Sequence, residues 1–124
     1  TLHNTLFPYT TLFRSAIAGY RDGEPWRQAL LGYLRDNRDR LEQWVADTPG
    51  LSMTHVEATC LGWIDARPLG LEEPQRHFEA HGAGLSPGSQ FGGPGFVRFN
   101  FGCPRSMLEE GLARMEHAIR DTQH

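Results

Sequence analysis

An arginine stands inside a strongly apolar run, residues 96–101 (FVRFNF). Side chains alternate across an extended strand, so Val97, Phe99 and Phe101 share one face, which should bury against helices. Phe96, Arg98 and Asn100 share the other. A charge in so apolar a strand is costly unless a partner neutralises it. The planar fork of a guanidinium suits bidentate binding of a carboxylate. Two partners satisfy that chemistry. One is a ligand carboxylate, admitted through the flexible glycine-rich stretch just upstream, residues 86–95 (SPGSQFGGPG). The other is an acid of the same domain. Residue types and spacing leave both open.

The remaining chemically capable residues form weaker patterns. His77 and His81 are four apart and can share a helix face. No HExxH and no matching cysteine or carboxylate cluster accompanies them, so they read as a solvated helix face rather than a zinc site. The glycine-rich stretch is no Walker loop, because no lysine follows it. Glu57 and Asp65 read as turn or surface acids near strand ends. Cys60 lies in an apolar strand and reads as packed rather than reactive. Cys103 precedes a helix start, a position that can lower a thiol pKa, with no base in view beside it. The two cysteines lack metal-like spacing and read as free thiols of a reducing cytoplasm. All 12 basic residues are arginine, so a mechanism that needs a lysine Schiff base cannot be run by this chain alone.

Positioning Arg98 falls to the elements around it. Pro25 suits the first turn of a helix. Trp26, Leu30, Leu34, Leu41, Trp44 and Val45 then follow helical spacing, opposite a charged face. This stripe reads as core or interface, and Thr48-Pro49-Gly50 ends it. Residues 52–56 and 59–65 read as strands. The second is apolar on both faces, as an inner strand should be. Residues 72–81 read as a helix ended by Gly82-Ala83-Gly84, and residues 83–86 as a short strand. After the strand at 96–101, Pro104 and Ser106 are alternative helix starts, and Ser106 with Glu109 has capping-box spacing. Leu108, Leu112, Met115 and Ile119 form one apolar stripe to the end. The expected fold is α/β in two layers (α+β): a small mixed or antiparallel sheet covered by helices.

At 124 residues, with 39% apolar and 22% charged content, the chain has the composition of one ordinary globular domain. Its net charge of -3 points to no nucleic acid and no anionic membrane as partner. No apolar run is long enough to span a bilayer. Residues 5–15 (TLFPYTTLFRS) match, codon for codon, the in-frame translation of a common short-read sequencing adapter. Residues 1–15 therefore read as a non-native segment, set aside from fold reasoning. Residues 16–124 read as the native domain, cut from a longer protein. Residues 16–24 read as a helix end or a linker.

From residue 16 on, the chain resembles the C-terminal small domain of fold type I pyridoxal 5'-phosphate (PLP) enzymes, the class I/II aminotransferase superfamily. Within it the chain is similar to the MalY/PatB-like cystathionine β-lyase group of cysteine C–S lyases. The motifs that carry the likeness stand in order: W-x-x-x-L-x-x-Y-L-x-x-N-R at 26–38, M-T-x-x-E-A-T-x-L-x-W-I-D at 53–65, L-S-x-G-x-x-F-G at 85–92, G-F-V-R-x-N-F at 95–101 and C-P-R-S-x-L-E-E at 103–110. The resemblance implies that Arg98 grips the α-carboxylate of an amino-acid thioether, with Asn100 standing behind it at most. It implies PLP bound by a large domain that also supplies the Schiff-base lysine. No residue of this chain is assigned to catalysis, cofactor binding or a metal. The implied reaction is α,β-elimination by a cysteine-S-conjugate β-lyase, giving a thiol, pyruvate and ammonia. The implied whole is a cytoplasmic homodimer, and this part alone should be inactive. An aminotransferase of the same fold would use the same arginine. A non-enzymatic domain binding a small carboxylate or a protein is the reading of another class.

Overall fold

The computed structural model describes residues 3–122, with side chains from Tyr9 onward. The chain divides into two compact units, Thr1–Tyr33 and Leu34–His124. The first unit holds helix α1 (His3–Asp22) and the first turns of helix α2 (Glu24–Asp47). Side chains 9–22 and 24–30 are all exposed. Residues 16–24 are thus mostly the end of a helix. The apolar stripe expected along α2 is buried at Leu41, Trp44 and Val45, yet Trp26 and Leu30 are 70% and 37% exposed. The helical period holds throughout. What fails is cover, because residues 24–30 stay exposed.

The second unit is built on one four-stranded sheet. Its strands are β1 (Ser52–Met53), β2 (Leu61–Asp65), β3 (Ser86–Pro87) and β4 (Phe96–Asn100), in the order β1-β2-β4-β3. Every pairing is antiparallel, and the doubly apolar β2 is indeed an inner strand. The strands are shorter than their apolar runs, for identifiable reasons. Glu42 accepts the backbone N–H of Val56 at 2.9 Å, and Arg38 donates to the Val56 carbonyl at 3.4 Å. Side chains of α2 therefore take groups that would have extended β1. Thr59 has φ of +73°, a left-handed conformation costly for a β-branched residue and incompatible with a strand, so β2 starts two residues later.

One face of the sheet carries the core. Ile64, Val97 and Phe101 are essentially inaccessible, as are Leu41 and Val45 of α2, Phe78 of α3 (Pro74–Ala80) and Leu108, Leu112 and Met115 of α4 (Arg105–Asp121). Gly62 lies opposite Phe99. A Cβ at Gly62 would fall 2.9 Å from a Leu41 methyl, so the missing side chain lets α2 approach the sheet. The result is a two-layer arrangement with helices on one face. The capping box does not form. Helix α4 begins at Arg105 behind Pro104, without a side-chain cap. Glu109 instead takes a two-pronged ion pair from Arg40, at 2.9 and 2.8 Å, which ties α4 to α2. Among the described residues no helix is long and apolar enough to cross a membrane.

One polar side chain lies wholly inside this core. Asn37, on α2, is fully buried and donates from Nδ2 to the carbonyls of Phe101 at 2.9 Å and Cys103 at 2.8 Å. These carbonyls belong to the turn between β4 and α4, where no ladder partner is available, and a buried acceptor left alone is costly. Asn37→Ala should lower the unfolding free energy by about 2–3 kcal/mol, read from urea denaturation. A loss below about 1 kcal/mol would show that the turn finds other donors.

Candidate functional site

The helix-free face of the sheet gathers aromatic rings and guanidinium groups. Arg98 sits on the inner strand β4, opposite Trp63 on β2 and Ser86 on β3, so three neighbouring strands present side chains to one surface. Its guanidinium lies over the Phe91 ring at 4.2 Å from the centroid and donates to the Ser86 hydroxyl at 3.3 Å. The side chain is half-buried. Among the described residues no carboxylate pairs with it. Arg67, the other arginine of this face, differs on that point. It rests over Phe96 at 4.7 Å and holds Asp65 through two hydrogen bonds, at 2.9 and 2.7 Å. One cation is therefore neutralised within the domain, and the other keeps its fork for something else.

The glycine-rich stretch is a folded support rather than a loose loop. Gly88–Phe91 forms a 3-10 turn closed by Gly92, whose φ is +78°. A Cβ at Gly88 would lie 2.4 Å from the Gly93 carbonyl oxygen, and one at Gly93 would lie 2.5 Å from the Trp63 ring. Both approaches need glycine. The turn thereby delivers Phe91 under Arg98 and edge-on to Trp63, at 6.2 Å, while Trp63 stacks on Phe96 at 5.4 Å. Sequence reasoning did not assign Phe91, Ser86 or Trp63 to this place. The aromatic inside SPGSQFGG was a usable signal, whereas Trp63 and Ser86 needed the strand register.

The comparisons with known proteins bear on what such a face belongs to. No family model matches the chain. Protein MalY of Escherichia coli (strain K12) is 38% identical, over 91% of this chain and 30% of its own length. The crystal structure of OvoB superposes with a TM-score of 0.80 at 57% identity, over 82% of this chain and 27% of that one. The PLP-bound C–S lyase from Staphylococcus hominis superposes with a TM-score of 0.77 at 28% identity, over 86% of this chain and 30% of that one. The chain belongs to the MalY/PatB-like group of fold type I PLP enzymes. It spans about 30% of the length of the curated relatives it matches, and its helices and small antiparallel sheet match the C-terminal domain of that fold.

Within this domain the other candidate residues hold structure together. Asn100 accepts the Gly102 N–H at 2.8 Å and so shapes the exit from β4. His77 and His81 are not a solvated face. Both are half-buried and hydrogen-bonded, His77 to the Ala118 carbonyl at 2.8 Å and His81 to the His77 carbonyl at 2.9 Å and Asp121 at 3.0 Å. Cys60 and Cys103 are free, half-buried thiols. The Cys103 thiol is pushed up, not down, first by burial and then by the neighbouring Cys60. Desolvation outweighs the helix start that sequence position suggested. Glu57 is exposed.

The Arg67 hydrogen bonds hold the Asp65 carboxyl below the usual range, against the opposing effect of burial. Its folded value thus lies below its unfolded value. The pairing stabilises the fold at neutral pH and is lost as the pH falls through the folded value. A carboxyl-carbon NMR titration should place the Asp65 midpoint below about 3.9, and Arg67→Gln should return it to or above that range. A wild-type midpoint already there would contradict the pairing.

Proposed function

We propose that this domain supplies the substrate-carboxylate grip of a PLP-dependent cysteine-S-conjugate β-lyase of the cystathionine β-lyase type. The observation that carries the reading is Arg98: half-buried, held by Phe91 and Ser86, and without an acid partner among the described residues. Its two parallel N–H groups would bind the α-carboxylate of an amino-acid thioether and fix the direction of the Cα substituents. The Phe91 ring keeps water from one face of the guanidinium, which strengthens the charge pair.

The residues present fit the substrate and not the attachment of the cofactor. With no lysine in the sequence, the Schiff base to PLP must come from residues beyond it. PLP, when bound, would supply the ring that holds the electron pair left at Cα by loss of its proton, the pair that then expels the β-thiolate. Thiol, pyruvate and ammonia would follow, with one water consumed. The stretch at residues 5–15 is read as adapter-derived and residues 16–124 as part of a longer enzyme, a cytoplasmic homodimer by the family resemblance. The exposed Trp26 and Leu30 support that reading, since such a stripe suits burial against further protein.

The test uses the full-length enzyme carrying this domain, assayed for pyruvate release from cystathionine. Arg98→Gln should lower kcat/KM by roughly 30- to 1000-fold, the effect of about 2–4 kcal/mol for a desolvated charge pair. Arg98→Lys should recover part of it, keeping the charge without the fork. An Arg98→Gln enzyme within about threefold of wild type would remove the assigned role. Amino-group transfer to a 2-oxo acid, with no thiol released, would replace the lyase with an aminotransferase.

A further inference from the structure

A second cluster of chemically capable side chains lies on the helical layer, away from the Arg98 face. His81 is the residue that caps the C-terminal end of α3, and His117 and Asp121 occupy the last turn of α4. The Nε2 of His81 is 3.0 Å from Oδ2 of Asp121, and the Nδ1 of His117 is 4.0 Å from the same oxygen. One ligand atom from each of the three lies within 4.8 Å of the others. We propose that His81, His117 and Asp121 form a divalent-cation site of the zinc class that pins the end of α3 to α4.

Four features support it beyond proximity. First, His117 and Asp121 are four residues apart on one helix, the spacing that puts two side chains side by side. Second, His81 is already oriented as a ligand. Its Nδ1 donates to the His77 carbonyl, which fixes the ring and aims Nε2 at the cluster, where it donates to Asp121 until a metal ion takes the place of that proton. Third, two helices end here, and their C-terminal carbonyls favour a cation. Arg114, the cation one turn earlier, is engaged with Glu110 and with the Gly82 carbonyl. Fourth, two imidazoles and one carboxylate form a donor set suited to Zn2+, with a fourth position open to water. Tetrahedral zinc places its ligands about 3.3 Å apart. The exposed His117 and Asp121 can close to that spacing by turning their side chains. His77 is not a ligand, because its Nε2 is engaged by the Ala118 carbonyl. On binding, Zn2+ would replace the proton shared between His81 and Asp121 and release it to solvent.

The inference does not depend on the lyase reading, and the 124-residue chain suffices to test it. Calorimetric titration with ZnCl2 should show one saturable site per chain and a Zn2+-dependent rise in Tm. His117→Gln and Asp121→Asn, both at exposed positions, should each weaken binding by about tenfold or more. His55→Gln should leave it unchanged. Co2+ should give visible d–d bands without a thiolate charge-transfer band. Absence of saturable binding would overturn the proposal. So would affinity kept within about twofold in both variants, or a cobalt spectrum showing thiolate ligation by Cys60 and Cys103.

Discussion

Much of the second unit hangs on the amide of Asn37. Strand β4 must end, turn and start α4 within a few residues, and it does so inside the core. The carbonyls of Phe101 and Cys103 in that turn are reached by no strand partner. Asn37 supplies both donors from a single NH2 group. The arrangement has a cost, because the other atom of the same amide, Oδ1, is buried without a partner among the described residues. The two bonds that Asn37 makes serve to fix the path of the chain. Through them α2, β4 and α4 become one object, and the strand that presents Arg98 outward is fixed by what happens on its inward side.

That coupling explains how one short strand serves two purposes. Val97, Phe99 and Phe101 point into the helical layer and give β4 its stability, while Arg98 points to the face that no helix covers. A charge on an inner strand is tolerable there because an aromatic ring supports it on one side and a hydroxyl accepts one of its protons. The supporting ring comes from a turn whose glycines leave room for backbone and indole. Rigid packing behind the sheet and close packing beside it leave the guanidinium few ways to move.

Much of this was legible in the chain itself. Alternation gave the two faces of residues 96–101, and doubly apolar residues gave β2 its inner place. Helical periodicity gave α2 and α4, and the ordered motifs gave the family. What the one-dimensional pattern could not carry was competition. Ser106 and Glu109 have capping-box spacing, but Arg40 from another helix outbids the cap. Residues 52–56 have strand composition, but Glu42 and Arg38 capture Val56. The Cys103 position suggested an acidic thiol, but burial and Cys60 act the other way. The partners of Arg98 belong to the same class. Trp63 and Ser86 lie 35 and 12 positions away in sequence and become neighbours through strand register alone.

The sheet also governs how the domain can meet other chains. Its two outer strands, β1 and β3, are two residues long, and the second residue of β3 is Pro87, which has no backbone N–H to offer. Edges this short, one of them ending in proline, give an incoming strand almost nothing to zip onto. Polymerisation by β-strand addition, the usual hazard of a small open sheet with an aromatic surface, is thereby blunted. Encounters are steered to the faces of the layers, where side-chain chemistry rather than backbone pairing decides what binds.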